Sequence, residues 1–576
     1  MNIKALGLTA VAVSVAALVA ACGGGGGGGD SATATPAQSG VVLSGVAATG
    51  LALANSAVDV KCAAGTGSAT TNDAGSYTVT VTDGALPCIV KVTGTANGVA
   101  VTLHSVAEAG TTNGSTTTAT ANVTPLTELI LARAGGTLPS DLFTNFGTGT
   151  AVTAAALTQA TTDILAAIGT AAGVDLSGVD PFKAALVAAT PGNLSGGNDY
   201  DKLLDQIGTT LSVASLPQVV SQVASTVGST APVTLTEVVA NVSKGSLAGC
   251  PQALSGKYRL LDYVGATDVV DIDFGAMSLT AGEEVVTLTA NSTQPCEFLA
   301  NGSVPTTVVI GPSGAGAIRD GERIGYIFPV QAHSFASVQG KWEFLESGIN
   351  ETQQGEHWIG EMDIAADGKV TVCDYDVAQN NFSSCVVDTD EAASLQQSGD
   401  ALVLNYGQTT GLVYGFRGPN GALTLFGTYN PTGNTASGFL KTNFVLTRPQ
   451  RNDTQAVGSI SKFWDIAQLY QPTSTSGGQP VLFAGAPARN SITVTASTET
   501  SVTRQLTSSG TDNGRIDTVQ LNNPIPGLRS RAEGPSNLSG QTISAVYIRN
   551  LPGTNMSVAI DAMATRHFMS LTVTRP

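Results

Sequence analysis

Apolar and polar positions along the chain change their period three times. Ala5 to Leu18 is an apolar run with no charge, behind the single charge of Lys4. It falls short of the ~20 residues that a membrane-spanning helix needs, so it predicts the apolar segment of an export signal. Seven consecutive glycines, Gly23 to Gly29, follow shortly after and have no side chains to bury. They predict a flexible tether over residues 22–40. From residue 41 to 120 apolar residues alternate with polar ones, as in Val58-Asp59-Val60-Lys61-Cys62 and Tyr77-Thr78-Val79-Thr80-Val81. Period-two patterning bounded by turns such as Asn72-Asp73-Ala74-Gly75 predicts a small β-sandwich.

The period then lengthens. Thr124-Pro125-Leu126-Thr127-Glu128 supplies an N-cap, a proline at the first helical position and an acid in the first turn, and Gly135-Gly136 supplies a stop. Stripes at Leu157, Ile164 and Ile168, at Asp180-Pro181-Phe182 with Leu186, at Leu203, Leu204, Ile207 and Leu211, and at Val219, Val220 and Val223 predict further helices across residues 121–249. Alternation returns from Cys250 to Pro576, broken by Asp320-Gly321, Asp367-Gly368, Asn420-Gly421 and Asn513-Gly514. Such pairs favour hairpins because both central turn residues need positive φ. Leu254-Ser255-Gly256-Lys257-Tyr258 is echoed by Val338-Gln339-Gly340-Lys341-Trp342, with Lys462-Phe463-Trp464 as a third start. Phe444-Val445-Leu446-Thr447-Arg448-Pro449 is echoed by Leu571-Thr572-Val573-Thr574-Arg575-Pro576. These echoes divide the region into β units at 250–337, 338–449 and 450–576. The expected fold is therefore multidomain and mainly β with a helical middle segment: an N-terminal sandwich, then antiparallel barrel or sandwich units.

Three resemblances add to this reading. Val19-Ala20-Ala21-Cys22, placed directly after the apolar run, resembles the lipobox of bacterial lipoproteins. The resemblance implies removal of a signal peptide (residues 1–21), lipidation of Cys22, and anchoring to a membrane through acyl chains. Gly23, rather than aspartate, follows the cysteine, which by family behaviour implies the outer membrane. Residues 41–120 resemble the carboxypeptidase-regulatory-like, transthyretin-like sandwiches of bacterial surface proteins, with glycines and a valine stretch ahead of Thr71 to Tyr77. These modules are spacers or stalks. Gly340-Lys341-Trp342 is similar to the opening of lipocalin-like barrels, in which the aromatic plugs one end.

Composition narrows the function. A net charge of −17 argues against nucleic acid, whose binding rests on Lys and Arg neutralising phosphates. With Cys22 set aside, six cysteines remain, and their clustering favours the neighbour disulfides Cys62–Cys88, Cys250–Cys296 and Cys373–Cys385. That arrangement fits an oxidising compartment and leaves no thiol as a nucleophile. Only His104, His333, His357 and His567 are available for imidazole chemistry, and no nucleophile elbow, HExxH or phosphate loop occurs. On Glu356-His357-Trp358-Ile359-Gly360-Glu361-Met362-Asp363-Ile364, alternation places Trp358, Gly360, Met362 and Ile364 toward a core. It sets His357, Glu361 and Asp363 on the opposite face, as a weak metal candidate or a solvated strand face. No cofactor is implied. The reading is an outer-membrane-anchored envelope lipoprotein with a structural or binding role, its partner an envelope protein, polysaccharide or small ligand. The alternatives are a tethered hydrolase or carbohydrate-active enzyme, and a small-ligand or lipid carrier using a barrel interior.

Overall fold

A computed structural model describes residues 40–576 except 97, 148–151, 228–232, 245–246, 248, 263–266, 303, 322, 351–354, 378, 390–391, 408, 430–438, 472–480, 485–486, 510–511, 541 and 563–566. The apolar run, Cys22 and the glycine tether lie outside the described residues. The fold is mainly β, with helices confined to the middle of the chain apart from one short turn at Phe335–Val338. The helix expected around Asp180 to Leu186 is instead a turn, in which the Asp180 side chain accepts from the Phe182 and Lys183 backbone N–H groups.

The first module is a sandwich of two four-stranded sheets. Gly40–Val46 pairs antiparallel with Ser76–Thr82, and Ala57–Ala64 pairs antiparallel with Ala85–Ala96. Alternation does the work here: Val58 and Val60 point inward, as do Tyr77, Val79 and Val81, all nearly inaccessible. The Tyr77 hydroxyl donates to the Ala121 carbonyl, pinning the chain where it leaves the sandwich. Cys62 and Cys88 sit directly opposite each other on paired strands and are bonded.

Helix Pro125–Gly135 begins with a capping box in which the Thr124 and Thr127 side chains satisfy each other's backbone N–H groups. Gly136 ends it at φ 59°, a left-handed position that suits glycine. Glu128, the expected first-turn acid, is buried rather than solvated. It accepts from the His104 backbone N–H and contacts the His104 Nδ1 at 3.0 Å, tying helix to sandwich. Helix Leu216–Ser225 docks on the β region: Gln218 donates to the Pro312 carbonyl and Ser221 to the Arg417 carbonyl.

Three antiparallel barrels follow. The first closes eight strands between Gly256–Asp262 and Arg323–Pro329, with Tyr326 opposite Leu261 at the seam. Tyr258, Phe274 and Phe298 fill its interior in mutual ring contact. Gly311 to Gly314 forms a hairpin turn, and the Ser313 hydroxyl is buried on the Thr554 carbonyl.

The second barrel runs from Gly340–Asn350 to Phe439–Thr447 and closes through the pairing of Gly355–Ile364 with Lys369–Asp376. Its interior is packed. Phe344 covers Gly360 on the paired strand, and Phe444 covers Gly427, places where a Cβ would meet the ring. Trp342 is fully buried, donates to the Val338 carbonyl, and is stacked by the Arg448 guanidinium 3.9 Å from its ring. This filled interior counts against an apolar ligand beneath Trp342.

The third barrel joins Ile460–Gln471 to His567–Thr574 and contains a further ring of strands between them. Here the echo of the second barrel slips by one residue: Phe463 faces inward, while Trp464 faces outward onto the first barrel. The remaining disulfides, Cys250–Cys296 and Cys373–Cys385, are also formed. No helix among the described residues is long and apolar enough to cross a membrane.

Candidate functional site: the charged interior of the third barrel

In the third barrel the usual assignment of faces is reversed. On His567–Thr574 the apolar Met569, Leu571 and Val573 point outward and are fully buried against neighbouring barrels. Ser570 and Thr572 point inward. The same holds on Ile460–Gln471, where Trp464 and Ile466 face out while Asp465 and Ala467 face in. Outward packing is anchored at Glu297 of the first barrel, which takes a bidentate pair from Arg489 at 2.7 and 3.1 Å and the Trp464 indole N–H at 2.8 Å. Burial works against the Glu297 carboxylate, but these donors outweigh it and hold its pKa below the ordinary value.

The interior that results holds a half-open cavity of about 670 Å³. An eight-stranded barrel has room for filling side chains or for one small ligand, and this volume lies within the range of small-molecule sites. Four guanidinium groups, Arg504, Arg515, Arg529 and Arg531, line it together with the exposed Lys462. Three carboxylates face them: Asp465, Asp512 and Asp517.

Most of these charges are paired. Asp517 receives both forks of Arg504 at 2.8 and 3.0 Å and Arg531 at 2.9 Å, with Arg515 at 3.7 Å. Burial alone would raise the Asp517 pKa; the three arginines overcome that and hold it at about 2. Arg515 also pairs with Asp512. Asp465 is raised by burial although the Ser570 hydroxyl donates to it. Arg529 differs. Its one hydrogen bond among the described residues runs from Nη2 to Asn550 Oδ1 at 2.6 Å, and its Nε is shielded from solvent with no acceptor. Burial, reinforced by the charge of Arg504, lowers its pKa to about 10.

Residues 450–455, which lead in from the second barrel, cover one end. Asn452 accepts from Asn550 Nδ2 at 2.9 Å and exchanges hydrogen bonds with Asn522 at 2.7 and 3.0 Å. Beneath this strap lies a second hollow of about 360 Å³, which shares Arg504, Arg529 and Asn550 with the first.

The residues singled out in the sequence lie elsewhere. Trp358, Gly360, Met362 and Ile364 do turn toward the second barrel's interior. The opposite face is not the open, solvated surface expected. His357 is buried, and Glu361 accepts from the Tyr375 hydroxyl at 2.9 Å; only Asp363 is exposed. The third barrel covers this face: the Arg549 Nη1 reaches Glu343 Oε2 at 2.7 Å, and Glu343 is paired in register with Glu361. No three His, Cys, Asp or Glu side chains group to hold a metal ion among the described residues. His104 and His333 are separately buried, in the sandwich and beside Gly415 respectively. Burial, with the nearby Arg417 charge, pushes His333 down to about 3, so it is neutral.

Two carboxyls inside the second barrel are also perturbed. Burial pushes Glu346 up to about 8 despite a bond from Thr442, and burial with the Asp388 charge lifts Asp374 to about 6. A folded-state pKa above the unfolded one means that the native chain binds the extra proton, so stability falls as pH rises through the folded value. Above pH 7, Asp374 is largely ionised and His333 neutral in both states, whereas Glu346 still titrates. Stability is expected to drop by about 1 kcal/mol between roughly pH 7 and 9. Denaturant midpoints across that interval check it. Glu346→Gln should flatten the slope, and a flat wild-type profile would refute the assignment.

No protein-family model matches the chain, and no curated protein is similar to it. Solved structures that show slight likeness include the following two. The isotype 1 transferrin binding protein B of serogroup B Neisseria meningitidis is 10% identical, spanning 57% of this chain and 67% of that one at a TM-score of 0.19. Kievitone hydratase from Nectria haematococca is 10% identical, spanning 41% and 90% at a TM-score of 0.11. At these scores neither bears on function.

Proposed function

We propose that this chain is a lipid-anchored envelope lipoprotein with a non-enzymatic binding role, and that its ligand chamber is the interior of the third barrel. The observation that carries the binding role is the contrast among the barrels. Aromatic and aliphatic side chains crowd the first, and in the second they pack around the carboxyls Glu346 and Asp374, whereas the third keeps a cavity of about 670 Å³ lined by four arginines and three aspartates. The lining mixes apolar side chains with these charged groups, which favours a solute that carries charged or hydroxyl groups over a purely apolar lipid. The sandwich and helices act as a stalk that holds the barrels away from the membrane. Cys22 and the glycine run supply the anchor and its slack, and the outer membrane is the proposed location.

Cys22→Ala should move the full chain from membrane to soluble fractions. A variant that still pellets with outer membranes in high salt would refute the anchor. For the chamber, Ala559→Trp sets an indole into the cavity wall. Native mass spectra of the chain purified from envelopes should show a small-molecule adduct that this variant lacks; identical spectra would refute the chamber.

The raised carboxyls Glu346 and Asp374 favour a second reading, acid–base hydrolysis in the second barrel. Glycosidase activity abolished by Glu346→Gln would replace the first reading with this one.

A further inference from the structure

We infer that the solute held in the third barrel carries an oxyanion group, a carboxylate or phosphate, and that Arg529 is its counter-charge. This rests on the chamber reading above and narrows it to a ligand class.

Five cationic side chains line the cavity against three aspartates, within a chain whose net charge is −17. Cations are scarce in this protein, and here they converge on one interior. The pairing pattern then separates structural arginines from a recognition arginine. Arg504, Arg515 and Arg531 are spent on Asp517 and Asp512, which brace neighbouring strands. Arg529 has no carboxylate partner among the described residues and leaves Nε without an acceptor.

An enclosed, unpaired guanidinium is costly, because water no longer solvates it fully and no anion compensates. A bound oxyanion removes that cost. The guanidinium fork matches carboxylate and phosphate oxygens two at a time, which a lysine at the same place could not do. Position agrees with this role. Arg529 borders both hollows, so it meets a solute in either, and Asn550 holds its Nη2 in place from the strap side. Asn490, Ser557 and Ser570 elsewhere in the cavity lining supply neutral partners for hydroxyl groups.

Calorimetric titration of the full chain with glucuronate, inorganic phosphate and glucose tests the inference. Glucuronate or phosphate should bind with a Kd below about 1 mM, and glucose at least tenfold more weakly. Arg529→Gln should weaken the anion at least tenfold, while Arg529→Lys should recover part of that loss. Glucose bound as tightly as glucuronate, with Arg529→Gln unchanged, would overturn the anion inference and leave the chamber standing. Anion binding that survives both Arg529→Gln and Ala559→Trp would place the site elsewhere and overturn both. No binding of either anion would overturn the inference outright. The preference for glucuronate over glucose is read on the wild-type chain, so the test holds even where a variant fails to fold.

Discussion

Arg549→Ala is expected to destabilise the chain by about 3–5 kcal/mol, read as a fall in the guanidinium chloride midpoint followed by tryptophan fluorescence. Arg549 is completely inaccessible, and its Nη1 bridges Glu343 Oε2 at 2.7 Å and the Thr447 hydroxyl at 2.9 Å. Glu343 is itself almost fully covered. Truncation therefore strands a carboxylate between two barrels with Glu361 nearby, whose charge already works against it. Burial pushes the two partners in opposite directions, Glu343 up and Arg549 down, so each is ionised at a desolvation cost that only the other offsets.

The pair as a whole is a different matter. Nε and Nη2 of Arg549 are buried without acceptors, so the bridge recovers less than a fully bonded guanidinium would. Replacing both ends at once, Arg549→Met with Glu343→Met, should bring stability back to within about 1 kcal/mol of the parent chain or above it. A double variant as unstable as the single one would show that the interface depends on this charge pair rather than on packing. A loss under about 1 kcal/mol for Arg549→Ala would show that the two barrels do not share the contact in solution.

This interface also explains what the sequence could and could not disclose. Alternation along a strand reports that one face is apolar and the other polar; it does not say which face curves inward. In the first two barrels the apolar face is the inner one, so Tyr258 and Trp342 stand where the pattern places them. In the third, Met569, Leu571 and Val573 are apolar because the first and second barrels cover them from outside. Ser570, Thr572 and Asp465 are left to line a chamber that no local pattern announces. The pattern sets His357 and Glu361 on the outer face, where they lie, but cannot say that the third barrel rather than water covers it. Disulfides were legible because neighbouring cysteines sit on adjacent strands or close local loops. One signal for the chamber was present: Arg529-Ser530-Arg531 puts two arginines on one face of a strand, with Arg504 and Arg515 close upstream in a chain poor in cations. Read as surface charge, such a pair attracts no notice. Its meaning depends on a barrel closing around it.

The contact between the first two barrels leads to the second large effect. Phe328→Ala is expected to cost about 3–5 kcal/mol, by loss of buried apolar surface together with the cavity left behind. Phe328 lies on the outer face of strand Arg323–Pro329, stacked on Phe426 with ring centroids 4.6 Å apart and tilted 21°, and 6.1 Å from Phe416. Tyr326, two residues earlier on the same face, meets Phe426 at 4.8 Å. These rings fill a junction that other pairs guard at its edge: Arg259 stands 4.1 Å over the Tyr414 ring and bonds Asp400. Such a site has little freedom to collapse, because both walls are barrel strands held by continuous ladders of hydrogen bonds, so the void should persist. Val285→Ala, on the same barrel but 65% exposed, should change the midpoint by no more than about 0.5 kcal/mol. If Phe328→Ala lowered stability no more than that control, the barrels would unfold independently and the stacked rings would be a contact without energetic weight. If instead it lowers the unfolding of both barrels together, the aromatic junction is what makes them one cooperative body.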